Sequence, residues 1–580
     1  MENMVNVKID GIPVSVAAGS TVLEAAHAAG VTIPTLCYLR DVNEIGSCRI
    51  CVVEATGARG LVAACMHPVS EGMEVKTNTP RLRKARKGTL ELILSNHNKS
   101  CLSCVRSGNC ELQALCNQYG VEQDKYDGST EGSVYDDSAA HMVRDNSKCV
   151  LCRRCISACE KVQGIGVIGL VDRGISTHVG CAFDRPLGDV ACVSCGQCIV
   201  ACPTGALHEK DQTNEVFEAI ADPDKFVVVF PAPSIRATLG ECFDMPIGSD
   251  VTGKMATAMR RLGFDRVFDT DFSADLTIVE EANELLERIT KGGVLPMITS
   301  CSPGWIKYCE HFFPEMIPNL STCKSPQQMF GAVVKTYYAE KMGIDPKKIV
   351  CVSVMPCTAK KFEVGRDDQS AAGVPDVDIA LTTREFARMV KLAGIDFTNL
   401  PDGDFDQPLG ESTGASVIFG ATGGVMEAAL RTAVSRLTGK ENDDLIVFNE
   451  VRGQDGVKTA TYKVGDLEIK VGVASGTANA RKLLERVKAG EQFHFIEIMC
   501  CPGGCINGGG QPQQPASVRS WTDLRELRSA ALYKHDDGKA IRRSHQNPDI
   551  IKLYEEYFKE PGSHKAHEVL HTTYTPRKKF

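Results

Sequence analysis

The stretch EIMCCPGGCINGGG, residues 497–510, closes an apolar run and opens a loop with three cysteines and five glycines. Two other loops have the same form: TSCSPGW at 299–305, after VLPMITS, and MPCTAKKFE at 355–363, after KIVCVSVMPC. Together with KFVVVFPAP (225–233) and LIVFNEV (445–451), these apolar runs alternate with helical stretches from residue 213 onward. That is an α/β pattern with mixed or parallel sheets, in which sites form on loops after the strands. One glycine is an ordinary turn, but glycines interleaved with cysteines let backbone approach a bulky group closely.

The chain has 580 residues, so several domains are expected. A net charge of -8 gives no case for nucleic acid. No apolar run approaches the ~18 residues of a membrane span. The N-terminal MENMVNVKIDG is already strand-like rather than a signal peptide, so the expected compartment is the cytoplasm. There are 26 cysteines, and those before residue 203 are clustered. In a large cytosolic chain this indicates metal or redox work rather than disulfides.

MVNVKIDGIPVSV (4–16) reads as two alternating strands about a turn at Gly11, and GSTVLEAAHAAG (19–30) as a helix capped by Ser20 or Thr21. Cys37, Cys48, Cys51 and Cys65 follow. This layout resembles a plant-type [2Fe–2S] ferredoxin domain of β-grasp form, with four thiolates around two irons. Residues 80–97 look like an amphipathic helix that delivers His97 to Cys101, Cys104 and Cys110. The spacing alone leaves zinc and a [4Fe–4S] cluster open; the position between iron–sulfur modules favours the cluster. A neutral imidazole in place of a thiolate should raise its potential. Cys116 lies outside this pattern and reads as a core thiol.

CVLCRRCISACE and CVSCGQCIVACP repeat the two-cluster ferredoxin spacing at Cys149, Cys152, Cys155, Cys159 and at Cys192, Cys195, Cys198, Cys202. In that fold the fourth cysteine crosses over. Cys149, Cys152 and Cys155 should therefore share a cluster with Cys202, and Cys192, Cys195 and Cys198 with Cys159; Cys181 is spare. This N-terminal wire also resembles complex I and formate dehydrogenase subunits.

The three later loops decide between these. They closely resemble the catalytic domain of [FeFe]-hydrogenases, in the long form with accessory ferredoxin domains. The family loops TSCCPxW, MPCxxKxxE and ExMxCxxGCxxGGG match here at Met355, Pro356, Cys357, Lys360 and Glu363, and at Glu497, Met499, Cys501, Gly504 and Cys505. The first departs at one position, where Ser302 stands for the second cysteine. The resemblance implies reversible conversion of two protons and two electrons to H2 at a six-iron H-cluster. That group is a [4Fe–4S] cubane joined to a two-iron unit with CO, cyanide and an azadithiolate whose amine is a base. It implies that Cys357, Cys501 and Cys505 ligate the cubane, Cys505 bridging, and that Lys360 holds a cyanide. Ser234, Pro326, Gln327, Met355 and Met499 would line the pocket. A proton relay would run Cys301, Glu281, Ser321, Glu284, Arg288. Without the resemblance, the acidic run around Glu281 reads as a solvated helix face. For the fourth cubane corner, Ser302 ligates, or Cys301 does after a loop shift, or Cys500 substitutes.

The expected fold is multidomain, α+β and α/β. It comprises a [2Fe–2S] domain (1–79), a His/Cys3 [4Fe–4S] segment (80–125), a two-[4Fe–4S] ferredoxin domain (126–212), a two-lobed α/β catalytic domain (213–515) and a helical tail wrapping it (516–580). The expected cofactors are one [2Fe–2S], three accessory [4Fe–4S] and one H-cluster. The expected partners are ferredoxin or NAD(P)-linked flavoprotein subunits in a hetero-oligomer, since no G-x-G-x-x-G unit follows a strand; no nucleic acid or membrane partner is expected. An assembly factor would lack the ferredoxin wire, and a hydrogen sensor would carry a sensory domain. His564, His567 and His571 in the tail read as surface or packing residues.

Overall fold

Alternation in MVNVKIDGIPVSV builds β1 (Met4–Ile9) and β2 (Ile12–Ala17), paired antiparallel. The turn between them needs two left-handed residues, supplied by Asp10 (φ 48°) and Gly11 (φ 86°). The computed structural model describes residues 3–579 except 123–124, 127, 129–132, 440–445 and 465–466. Thr21, not Ser20, caps α1 (Val22–Ala28): its hydroxyl accepts from the Glu24 N–H, and the Glu24 carboxylate accepts from the Thr21 N–H. β3 (Val52–Ala55), β4 (Val62–Ala63) and β5 (Glu74–Lys76) complete a sheet of order β2-β1-β5-β3-β4 over a core including Val7, Ile9, Val22, Val53 and Val75. Helix α2 (Pro80–Ser95) starts on the Thr79 cap and ends before the expected 97, which leaves His97 in the following loop. α3 (Glu111–Tyr119) ends at left-handed Gly120.

The two cysteine repeats share one backbone form. Leu151 (φ 51°) and Arg153 (φ 64°) match Ser194 (φ 61°) and Gly196 (φ 69°), position for position. Each run then enters a short helix, α4 (Arg154–Ser157) or α5 (Gln197–Ala201). Three of these four residues carry a Cβ, and non-glycine residues persist in that region only where their surroundings impose it. β6 (Tyr135–Asp136), β7 (Met142–Asp145) and β10 (Leu207–Glu209) form a sheet of order β10-β7-β6, and β8 (Gly169–Val171) pairs with β9 (His178–Gly180).

From residue 226 the chain builds two sheets. The first, β12-β11-β14-β15, is parallel throughout: β11 (Phe226–Pro231), β12 (Arg266–Val267), β14 (Ile349–Met355), β15 (Ile379–Thr382). The second, β13-β18-β17-β16, is mixed: β13 (Met297–Ile298), β16 (Val457–Val464), β17 (Leu467–Ser475), β18 (Phe495–Met499). LIVFNEV is not a strand among its described residues. Phe448 and Val451 are buried anchors instead, and the Ile446 carbonyl accepts from Arg431 rather than from a ladder. The hairpin β16/β17, absent from the sequence reading, takes that place.

The helices that matter below are α6 (Thr270–Lys291), α7 (Pro303–Phe312), α8 (Pro326–Val333) and α9 (Gly424–Thr438). α10 (Leu524–Asp537), α11 (Pro548–Leu553) and α12 (His564–Leu570) belong to the tail, which crosses both lobes through Arg528–Glu241, Arg431–Asp536 and Arg577–Glu310 pairs. Among the described residues, no helix is long and apolar enough to cross a membrane.

Candidate active site

The carboxyl ends of β11, β13, β14 and β18 meet between the two lobes, and the chain leaves them as the loops holding Ser234, Cys301, Cys357 and Cys501. Parallel strands expose such ends together, which is why residues far apart in sequence converge here. Two adjoining hollows result. One, of about 440 Å³, is lined by Cys357, Cys500, Cys501, Cys505, Ser302 and Cys195, among others. The second, of about 490 Å³, is lined by Ser234, Pro326, Gln327, Met355 and Met499. Cys301, Cys357, Lys360, Met499 and Cys505 line both, whereas Cys501 lines only the first.

All these thiols are free of disulfides. Burial pushes Cys505 up to about 12 and Cys357 well above the usual thiol range. Such groups become thiolates only beside a metal's positive charge, so the donor set fits an iron–sulfur group in the first hollow. The glycine triplet proves to be a protein-packing device. A Cβ would meet the Pro356 carbonyl at Gly508 (2.2 Å), the Cys195 carbonyl at Gly509 (2.2 Å) and the Thr382 side chain at Gly510 (2.8 Å). The loop is pressed between three segments of this chain.

Helix α6 carries the acidic run inward, against the reading of a solvated face: Glu280 and Glu281 are buried. Burial, reinforced by nearby Glu284, pushes the Glu281 carboxyl up to about 8, against the opposing pull of the Ser321 hydroxyl and the Ser300 N–H. The Cys301 thiol is raised by burial and then by Glu281. The Ser321 hydroxyl lies beside Glu281 and donates to Glu284 Oε2 at 2.8 Å; Arg288 Nη2 donates to Glu284 Oε1 at 2.6 Å. The five sequence-selected residues thus stand in order from the hollow outward. Beyond them the tail adds a group the sequence left unassigned. His571 brings a ring nitrogen within 4.8 Å of Glu284 and Cys323 ligand atoms, and accepts or donates at Thr322 Oγ1 (2.7 Å).

Lys360 Nζ donates to Ser325 Oγ (2.8 Å), Glu363 Oε2 (2.8 Å) and the Cys301 carbonyl (3.3 Å), which fixes the ammonium at the wall of both hollows. Two further residues escaped the sequence reading. Gln511 donates to the Cys505 carbonyl (3.1 Å) and Ser234 Oγ (3.3 Å) and accepts from Thr238 and Thr383, so it braces the third loop; its only sequence signal is its place after the triplet. Phe419 lines the second hollow from between the lobes and carries no local signal at all.

The accessory cysteines also gather in sets. Cys149, Cys152, Cys155 and Cys202 line one hollow, and Cys159, Cys192, Cys195 and Cys198 another. Cys51 and Cys65 thiols lie 3.3 Å apart, and Cys37 and Cys48 are within hydrogen-bond reach. His97 Nδ1 is buried without a partner, and burial holds its pKa down to about 4, so the ring is neutral. Asn43 Nδ2 ties the Cys37 carbonyl (2.8 Å) to that of Cys152 (3.0 Å), and Arg106 holds the Cys202 carbonyl (3.0 Å). Cys116 is part-buried, and buried Cys181 accepts from Arg144 at 3.7 Å. Crossed ligation has a pairwise consequence. Cys202→Ala and Cys149→Ala should abolish the same low-temperature EPR signal, and Cys159→Ala and Cys192→Ala the other; matching losses within each sequence run instead would refute the crossing.

The chain matches "Iron only hydrogenase large subunit, C-terminal domain" over 225–509 and "Iron hydrogenase small subunit" over 522–577. It also matches "2Fe-2S iron-sulfur cluster binding domain" over 2–80 and "NADH-ubiquinone oxidoreductase-G iron-sulfur binding region" over 86–125. It is 52% identical to the NADP-reducing hydrogenase subunit HndD of Solidesulfovibrio fructosivorans, across 100% of both chains. It is 41% identical to iron hydrogenase 1 of Clostridium pasteurianum, across 98% of this chain and 100% of that one. The solved [FeFe]-hydrogenase HydA(deltaEFG) superposes with a TM-score of 0.56 at 41% identity, covering 63% of this chain and 99% of that one. With these matches, the thiol-lined hollow between the lobes and the cysteine sets leading to it, the chain belongs to the [FeFe]-hydrogenase family, oxidoreductases that interconvert H2 with protons and electrons.

Proposed function

We propose that this chain is the hydrogen-converting subunit of an NAD(P)-linked hetero-oligomer, cytoplasmic because its many cysteines are free of disulfides. The observation that carries it is Cys195, which belongs to the last of the accessory cysteine sets and also lines the hollow between the lobes. A relative matching along its whole length is named an NADP-reducing hydrogenase subunit. Electrons would leave through the accessory clusters to a flavoprotein subunit or to ferredoxin. Purification from the source organism should therefore bring down a flavin-containing partner and H2-dependent NAD(P)+ reduction. A chain that purifies alone and reduces only ferredoxin would defeat this reading.

The units we propose are a β-grasp [2Fe–2S] domain at 1–79, a His97/Cys101/Cys104/Cys110 segment at 80–125, a two-cluster domain at 126–212, the catalytic domain at 213–515 and the tail at 516–580. For the His97 set a cluster is favoured over zinc. The set lies in sequence between the [2Fe–2S] segment and the two-cluster segment, which suits a cluster passing electrons between them.

Within the hollows, Cys357, Cys501 and Cys505 are the cubane ligands, and Cys505 serves both hollows. The bound six-iron group supplies the metal centre and amine base at which two protons and two electrons become H2. Lys360 presents its ammonium to an anionic ligand, and Ser234, Pro326, Gln327, Met355 and Met499 shape the wall. Cys301, which faces Glu281, moves protons at its Sγ between that carboxyl and the second hollow. Ser321, Glu284 and Arg288 continue the path toward solvent.

The Glu281 value sets a pH profile. Its carboxyl holds a proton below about 8 and loses it above. Dye-driven H2 evolution should therefore fall as pH rises through about 8, approaching tenfold per unit beyond it. Glu281→Gln should be slow and lack that inflection. A wild-type profile without it would remove Glu281 from the path.

A further inference from the structure

The first hollow offers five candidate donors for four cubane corners: Cys357, Cys500, Cys501, Cys505 and Ser302. Cys301 also lines it, but it lines the second hollow as well, and the relay proposed above takes its thiol. The choice therefore lies between Ser302 and Cys500. Ser302 Oγ already has a partner, accepting the Cys500 backbone N–H at 3.2 Å. The Cys500 thiol is buried and lies within hydrogen-bond reach of both Cys195 and Cys501. Its Sγ fills the space a side chain at Gly304 would need, since a Cβ there would sit 2.6 Å away. Gln163 Nε2 holds the Cys500 carbonyl at 3.0 Å, so the peptide is fixed from both sides. Chemistry favours the thiol as well: a soft thiolate suits iron–sulfur centres, whereas an alkoxide is hard and its parent hydroxyl a far weaker acid.

We propose that Cys500 supplies the fourth thiolate of the cubane, and that Ser302 is a positioning residue that holds the Cys500 backbone through its hydroxyl. The cysteine missing from TSCSPGW is thereby replaced from the third loop. The ligand moves to the side of the hollow facing Cys195, the cysteine of the neighbouring accessory set. This rests on the reading of the hollow as the cubane site, which Cys357→Ala tests separately.

The experiment uses the full-length chain made with its iron–sulfur clusters but without the two-iron unit. Iron content and 57Fe Mössbauer spectra are recorded for each variant. Cys357→Ala should lose the iron of one cubane or show one altered iron site; if it does neither, the hollow itself is misread. Cys500→Ala should show the same loss or alteration, whereas Ser302→Ala should keep the iron of the cubane and only shift its spectrum slightly, because the Cys500 backbone loses the hydrogen bond that positions it. Adding Ser302→Cys to Cys500→Ala should restore the wild-type spectrum, because a thiol then returns to the mouth of the same hollow. The proposal is overturned if Ser302→Ala loses the cubane while Cys500→Ala keeps it, or if Cys500→Ala is spectroscopically unchanged. It is equally overturned if Cys500→Ala removes the accessory cluster of the Cys195 set instead.

Discussion

Cys301→Ala, carrying the complete six-iron group, is expected to evolve H2 about 10²–10⁴-fold more slowly than wild type, the range spanned by a single positioned acid–base group. Iron content and the CO and cyanide infrared bands should stay as in wild type, because Cys301 is proposed to carry protons and not to bind iron. The thiol lines the second hollow and feels the charge of Glu281. Cys301→Ser should resemble Cys301→Ala, since a hydroxyl keeps the hydrogen bonds but not an accessible titration. If Cys301→Ala loses iron, the residue is a ligand and the loop reading changes. If it turns over at the wild-type rate, protons take another route.

The second large effect concerns the clamp between tail and catalytic lobe. Arg431 on α9 uses every guanidinium N–H. Nη2 bonds Glu427 Oε1 (2.7 Å) and Asp536 Oδ2 (2.8 Å), Nη1 bonds Asp536 Oδ1 (2.9 Å) and the Arg542 carbonyl (2.9 Å), and Nε bonds the Ile446 carbonyl (2.7 Å). Arg431, Glu427 and Asp536 side chains are all at 0% exposure. Removing one member of a buried pair leaves charge without its counterion, which costs about 3–5 kcal/mol. Arg431→Ala should therefore lower the thermal midpoint by several degrees and expose α10 to hydrogen exchange. Arg431→Lys should recover only part, since an ammonium keeps the charge but not the planar fork. A midpoint equal to wild type would mean that Arg452 and Arg542, which also reach these carboxylates, neutralise them unaided.

Much of this protein is written locally. The spacings at Cys149–Cys159 and Cys192–Cys202 declare clusters because three thiolates of each must come from one short loop, and the alternation in MVNVKIDGIPVSV declares a hairpin because pleat and turn are local properties. The three cysteine loops could be placed after strands for the same reason. LIVFNEV shows the limit. Its composition suits a strand, but an arginine on α9 takes its carbonyl, and the edge position goes to the hairpin at 457–475. Gln511 and Phe419 were not legible, because bracing a loop or closing a cavity depends on partners hundreds of residues away.

By itself the sequence pointed to the cluster-binding segments through residue type and short spacing, and to the family and candidate ligands through the resemblance of three loops. Only the tertiary structure decided that the acidic run on α6 is buried rather than solvated, and that Cys301 faces Glu281. It alone placed Ser302 against the Cys500 backbone and left Cys500, one of three open alternatives in the sequence, beside the cubane hollow. Those outcomes depend on which faces two separate sheets turn toward each other, and burial of that kind has no local code.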